Sequence, residues 1–124
     1  MEYVIKPKFE FKISDEDIDD IMGTALDCGI YYWCCRAEVV GGIYHGEYAS
    51  DEISRGGRLR LYDAESDDKW ILTKNKFLKG FKAWLENGWG KDAIVDGRVD
   101  TGMIDAIGAD MIVQFALFDE IVFG

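Results

Sequence analysis

The stretch that most limits what this chain can become is Gly29 to Val40, GIYYWCCRAEVV. It has no helix-period pattern and no internal breaker, and β-branched, aromatic and thiol side chains crowd both of its alternating faces. Ile30, Tyr32, Cys34 and Val40 share one face, while Tyr31, Trp33, Cys35, Ala37 and Val39 share the other. A strand apolar on both sides has to be covered on both sides, so an interior strand of a sheet is expected here.

The flanking segments are read against that strand. Tyr3 to Ile5 and Phe9 to Ile13 alternate apolar with charged around Pro7, the pattern of a half-buried edge strand. Ser14 is a good helix N-cap, with Asp17 placed to complete a capping box and Asp15 and Glu16 in the first turn. Ile18, Ile21, Met22, Ala25 and Leu26 follow at helical spacing, and Gly29 closes the helix. Beyond Gly41-Gly42, Ile43 to Tyr48 reads as a short extended piece and Ala49 to Gly57 as a loop. Arg58 to Tyr62 and Lys69 to Leu72 form a hairpin with a long polar turn. Thr73 caps a second helix with Phe77, Leu78, Phe81, Trp84 and Leu85 on its apolar side, ended by Asn87-Gly88. A third helix is expected from about residue 101 to Phe118, facing the core with Ile104, Ile107, Met111, Ile112 and Phe115 and leaving Asp105 and Asp110 outside. Ile121 to Phe123 is read as a short last strand. Strands grouped together with helices before and after them give an α+β fold, one domain with a mainly antiparallel sheet of about 4–6 strands on three helices.

Charge bounds the partners. The net charge is −10 over 124 residues, unsuited to free nucleic acid, which needs a basic footprint. Residues 1–28 carry three lysines against eight acids and residues 92–124 one arginine against seven, whereas the middle is nearly balanced. No signal peptide and no apolar run long enough to span a bilayer is visible, so a cytoplasmic, membrane-free protein is expected. Cys28, Cys34 and Cys35 are expected as free, mostly buried thiols, because neighbours on a strand point to opposite faces. With one histidine and no CxxC pair, neither metal nor cofactor is expected.

Three features are candidates for function. Asp15, Glu16, Asp17, Asp19 and Asp20 form the densest charge cluster. Helix capping explains the first three; as a surface, the set can stand where a nucleic-acid channel expects phosphates. It is not a calcium loop, since the alternating ligands and distal glutamate are missing. The second feature is the segment Tyr44 to Arg58, where Arg55 and Arg58 flank Gly56-Gly57 near His45 and Tyr48. Guanidinium and backbone N–H groups there could hold a phosphate or carboxylate, although a glycine-rich surface loop accounts for the same residues. No catalytic residue is assigned. The third feature is Trp89, which lies between Gly88 and Gly90 outside any core pattern and reads as a contact residue, whereas Trp33, Trp70 and Trp84 read as core. Lys74, Lys76, Lys79 and Lys82 make a solvated helix face that can also meet the acidic end of another copy, giving a homo-oligomer.

The stretches ISDEDIDDIMGTALDCGIYYWC, GEYASDEISRGG and IVQFALFDEIVFG resemble small acidic proteins carried by bacterial phages and conjugative elements. The resemblance implies an anti-defence setting, in which such proteins inhibit host nucleases as DNA mimics or sequester nucleotide signals. The expectation is therefore a non-enzymatic inhibitor of a host, nucleic-acid-binding defence protein, for example a CRISPR nuclease. It would act through Asp15 to Asp20 and Trp89. The alternative is a nucleotide-sequestering module built on His45, Tyr48, Arg55 and Arg58.

Overall fold

The computed structural model describes residues 1–5 and 10–124. Helix α1 spans Asp15–Thr24 and opens on the full capping box: Ser14 Oγ accepts from Asp17 N at 3.0 Å, and Ser14 N donates to Asp17 Oδ2 at 2.8 Å. Ile18, Ile21 and Met22 are buried. The helix widens into a π-helical turn over Ala25–Gly29 before the chain leaves it. Helix α2, Lys74–Glu86, starts on Thr73, whose hydroxyl accepts from Lys76 N, and buries Phe77, Phe81 and Trp84. Its Gly80 lies so close to α3, Ala106–Phe118, that a Cβ there would overlap the Ala116 backbone. Glycine sets this helix–helix distance.

The strands are β1 (Cys34–Val39), β2 (Leu59–Asp63), β3 (Lys69–Leu72), β4 (Ile94–Val95) and β5 (Arg98–Val99). The first three form one antiparallel sheet in the order β1-β2-β3, and β4 and β5 a separate hairpin. The fold is thus α+β, with three α-helices and five short strands among the described residues. The expected β2–β3 hairpin is present in the register Leu59↔Leu72 to Tyr62↔Lys69. Leu59, Leu61 and Leu72 are fully buried, while Arg36, Glu38, Arg60 and Tyr62 form an outer polar face. There Arg36 lies over the Tyr62 ring at 4.3 Å, and Glu38 accepts from both Arg60 and Tyr62.

Four expectations need correcting. The stretch Gly29–Val40 is not an interior strand among the described residues: Gly29 belongs to the π-helical turn, residues 30–33 form a turn, and β1 is the sheet's edge. Arg36 and Glu38 carry the outer face to solvent, so the sheet needs cover on one side only. In the expected first strand, residues 6–9 lie outside the described residues and Tyr3, Val4 and Ile5 are exposed. Phe11 and Ile13 are half-buried with Lys12 exposed between them, as expected, and among the described residues Lys12 makes an isolated bridge to Arg98. Helix α3 starts later than expected, capped by Asp105 after a 3₁₀ turn at Thr101–Met103, and its facing is reversed at two positions. Ile107 is 67% exposed and Asp110 is buried. Finally, Ile121 to Phe123 is not a strand. The Gln114 side-chain oxygen accepts from both Val122 N and Phe123 N at 2.8 Å, and Phe123 stacks on Trp33 at 4.9 Å.

The thiols also differ from expectation. All three are free, but only Cys34 is buried; Cys28 and Cys35 are exposed. The native protein is therefore expected to react with Ellman's reagent at Cys28 and Cys35 within minutes and at Cys34 only on unfolding. Slow reaction of all three would contradict this arrangement.

Candidate functional site

The acidic cluster on α1 divides into structural and uncommitted members. Asp17 completes the cap. Asp15 pairs with Lys74 Nζ at 3.1 Å, and Asp19 accepts from Ser54 Oγ at 2.6 Å and faces Arg55 Nη1 at 3.4 Å. These carboxylates fasten α1 to the following loop and to α2. Glu16 and Asp20 stay on the exposed side, and Asp20 Oδ2 accepts from Thr101 Oγ1 at 3.1 Å.

That last contact joins the two acidic ends of the sequence. α1 with its π-helical turn runs beside the segment 100–106, touching it at Asp20–Thr101 and again where Gly29 lies against the Ala106 carbonyl. Any side chain larger than hydrogen at position 29 would collide with that carbonyl. Glu16, Asp20 and Asp27 from one segment, with Asp100 and Asp105 from the other, are all exposed. The Asp20–Thr101 contact brings Asp20 beside Asp100, and the Gly29–Ala106 approach brings Asp27 toward Asp105, so acids of the two segments neighbour one another in an acidic strip.

Both segments end in an apolar cleft of about 520 Å³. Tyr32, Trp89, Ile107, Met111, Ile121 and Phe123 line it, with Cys28 at its edge. Its floor is a buried polar cluster. Asp110 Oδ2 accepts from the Tyr32 hydroxyl at 2.6 Å, and Asp110 Oδ1 accepts from Trp33 Nε1 at 2.7 Å and Gln114 Nε2 at 2.9 Å. Burial, followed by donation to the Asp110 carboxylate and its negative charge, pushes the Tyr32 hydroxyl up to about 12. The wall of the cleft is therefore a neutral tyrosine held in a single orientation. Of the lining residues only Trp89 was singled out from sequence. Asp110, an isolated acid inside the apolar run IGADMIVQF, was a signal that a buried acceptor was needed there.

The segment from Tyr44 to Arg58 is organised differently from a phosphate loop. Its centre is Glu52, fully buried, which accepts from His45 N at 2.7 Å and Gly46 N at 2.8 Å, with His45 Nδ1 at 3.1 Å. Burial alone would raise this carboxyl, but the donors outweigh it and hold it below its ordinary value. Arg55 donates to Asp51 O at 2.9 Å and faces Asp19, so this guanidinium is tied within the protein. Arg58 is exposed, as is Tyr48, whose N–H donates to Asp51 Oδ2 at 3.1 Å. Glu52→Gln, which turns an amide toward the His45 and Gly46 donors, is expected to cost about 1–3 kcal/mol near neutral pH. Because the folded carboxyl is depressed, its contribution is present above the unfolded value of about 4.3 and is lost as pH falls through the folded value. Urea melts of the two proteins should thus converge in acid; a gap unchanged down to pH of about 3 would contradict this role.

Among the described residues no three His, Cys, Asp or Glu side chains converge as metal ligands, and no helix is long and apolar enough to cross a membrane. No protein-family model, curated protein or solved structure matches this chain.

Proposed function

We propose that this protein is a non-enzymatic inhibitor that binds a host, nucleic-acid-binding protein through its acidic strip, occupying a basic surface that otherwise receives phosphates. One observation carries this reading: Asp20 of the acidic N-terminal part accepts from Thr101 of the acidic C-terminal part, which brings the exposed Asp20 close to the exposed Asp100 beside Thr101. Exposed charges of one sign steer association and fix register on a complementary surface. The residues assigned to the contact are Glu16, Asp20, Asp27, Asp100 and Asp105. Asp15, Asp17 and Asp19 are left out of the test because they hold the α1 cap and its bonds to Lys74, Ser54 and Arg55. Asp20 and Asp100 also accept from Thr101 Oγ1 and Gly102 N, so the melting temperature of the variant below is measured beside its binding.

The test is capture of host proteins on the immobilised protein, followed by elution with salt and with short duplex DNA. Competition by duplex DNA is expected. The combined change Glu16→Gln, Asp20→Asn and Asp100→Asn should weaken the captured partner by more than about fivefold and flatten its salt dependence. Capture that survives both duplex DNA and the triple change would remove the reading.

A further inference from the structure

We infer that the apolar cleft beside the strip is the anchor site for a basic, amphipathic polypeptide segment of the partner. An aromatic or long aliphatic side chain would enter between Tyr32, Trp89 and Ile107, while flanking lysines or arginines meet the rim acids. This deepens the function proposed above and rests on it.

Three observations fix the occupant. The first is the exposure of the wall. Ile107 projects into solvent from a helix that is otherwise largely buried, and Tyr32 and Trp89 are each about half exposed. These side chains leave apolar surface of the cleft open to a partner's side chain. The second is rigidity. Tyr32 is held by Asp110, and Gln114 pins the backbone at Val122 and Phe123 that presents Ile121 and Phe123 to the cleft. A preformed site avoids the ordering cost of binding.

The third observation is the sign of the exposed charges on the chain next to the lining residues, which form the rim in this reading. Asp27 precedes Cys28, Asp105 precedes Ala106, and Asp119 and Glu120 precede Ile121; all four acids are exposed. Among the described residues none of the four takes part in an ion pair. The segments that carry the lining residues hold one basic residue, Lys91. Charge complementarity therefore selects against an anionic membrane surface or nucleic acid. A second copy is the weaker match, since it carries −10 and two of the four lysines on its α2 face, Lys74 and Lys76, are bonded within the chain. A cationic polypeptide with an apolar face satisfies both the wall and the rim. The cleft volume of about 520 Å³ has room for one or two large side chains.

The probe is a short fluorescein-labelled helical peptide with leucine and tryptophan on one face and lysine and arginine on the other, read by fluorescence anisotropy at physiological salt. Two control peptides keep its charge with serine on the apolar face, or its apolar face with glutamate in place of the basic residues. The expected result is saturable binding of the probe, at least about tenfold weaker for each control. Ile107→Lys, at an exposed position, should weaken the probe by about tenfold with the melting temperature unchanged, and Trp89→Ala should act in the same direction. No binding, equal binding of the controls, or indifference to Ile107→Lys would overturn the inference. So would dimerisation or anionic-vesicle binding abolished by Ile107→Lys, which would assign the cleft to a second copy or a membrane. The two proposals fail separately. A host protein released by duplex DNA and by the acidic triple change, yet held normally by Ile107→Lys, keeps the acidic strip and removes the cleft.

Discussion

Phe81→Ala is expected to lower the unfolding free energy by about 3–5 kcal/mol, the range for truncating a large aromatic in a packed core. Phe81 is 1% exposed, on the helix that packs against α3. Its ring packs 5.7 Å from Phe11, just ahead of α1, and 5.6 Å from Trp84. Gly80 beside it fixes the approach of α3 through the Ala116 backbone, which limits how far α3 can move in to fill the hole. A cavity that cannot collapse keeps its full cost. Phe81→Leu, which fills part of the space, should cost less than half as much. Urea unfolding followed by far-ultraviolet circular dichroism gives both values. A loss below about 1 kcal/mol for the alanine variant would mean that α2 does not bury this face.

The elements legible in the sequence are those whose signals are local. Ser14 with Asp17, Thr73, the α2 periodicity and the alternation of Arg58 to Tyr62 each lie within a few residues of what they determine. What failed was decided at a distance. Whether Gly29–Val40 is interior depends on how many strands pair with it, and among the described residues β1 has one neighbour, β2. The facing of α3 was misjudged because the helix is apolar nearly all round, so periodicity carries little information. Asp110 is inside because Trp33 and Tyr32, 77 and 78 residues earlier in the chain, supply its donors. The candidate site divides in the same way. The α1 acids were found as a cluster, but their separation into fasteners and exposed members came from Lys74, Ser54, Arg55 and Thr101, all remote in sequence. Trp89 was found because glycines isolate it; the cleft around it was not, since its walls come from four separate segments.

Asp110→Ala is expected to cost about 3–5 kcal/mol, because it removes the acceptor for three donors at once. Trp33 Nε1 would be left buried without an acceptor, while Gln114 Nε2 would keep Phe123 O at 3.2 Å, and hydrogen bonds to a charged acceptor are worth more than neutral ones. The damage should spread to the end of the chain. Gln114, held by Asp110, in turn holds Val122 and Phe123, and Phe123 stacks on Trp33. Amide exchange at Val122 and Phe123 should therefore accelerate more than exchange in α2. Asp110→Asn should cost only about 1–2 kcal/mol, since the amide oxygen still accepts from Trp33 and Gln114 while the Tyr32 hydroxyl turns to accept from the amide N–H. The same cluster sets an alkaline limit. The folded Tyr32 hydroxyl titrates at about 12, above the ordinary tyrosine value of about 10. A raised value means that its contribution is complete below the unfolded value and is lost as pH rises through the folded one, here between about 10 and 12. Tyr32→Phe lacks that ionisation, so it should begin less stable at neutral pH and lose less between those limits. Parallel melting-temperature profiles for the two proteins across the window, or an Asp110→Ala loss below about 1 kcal/mol, would remove Asp110 as the centre of the cleft floor.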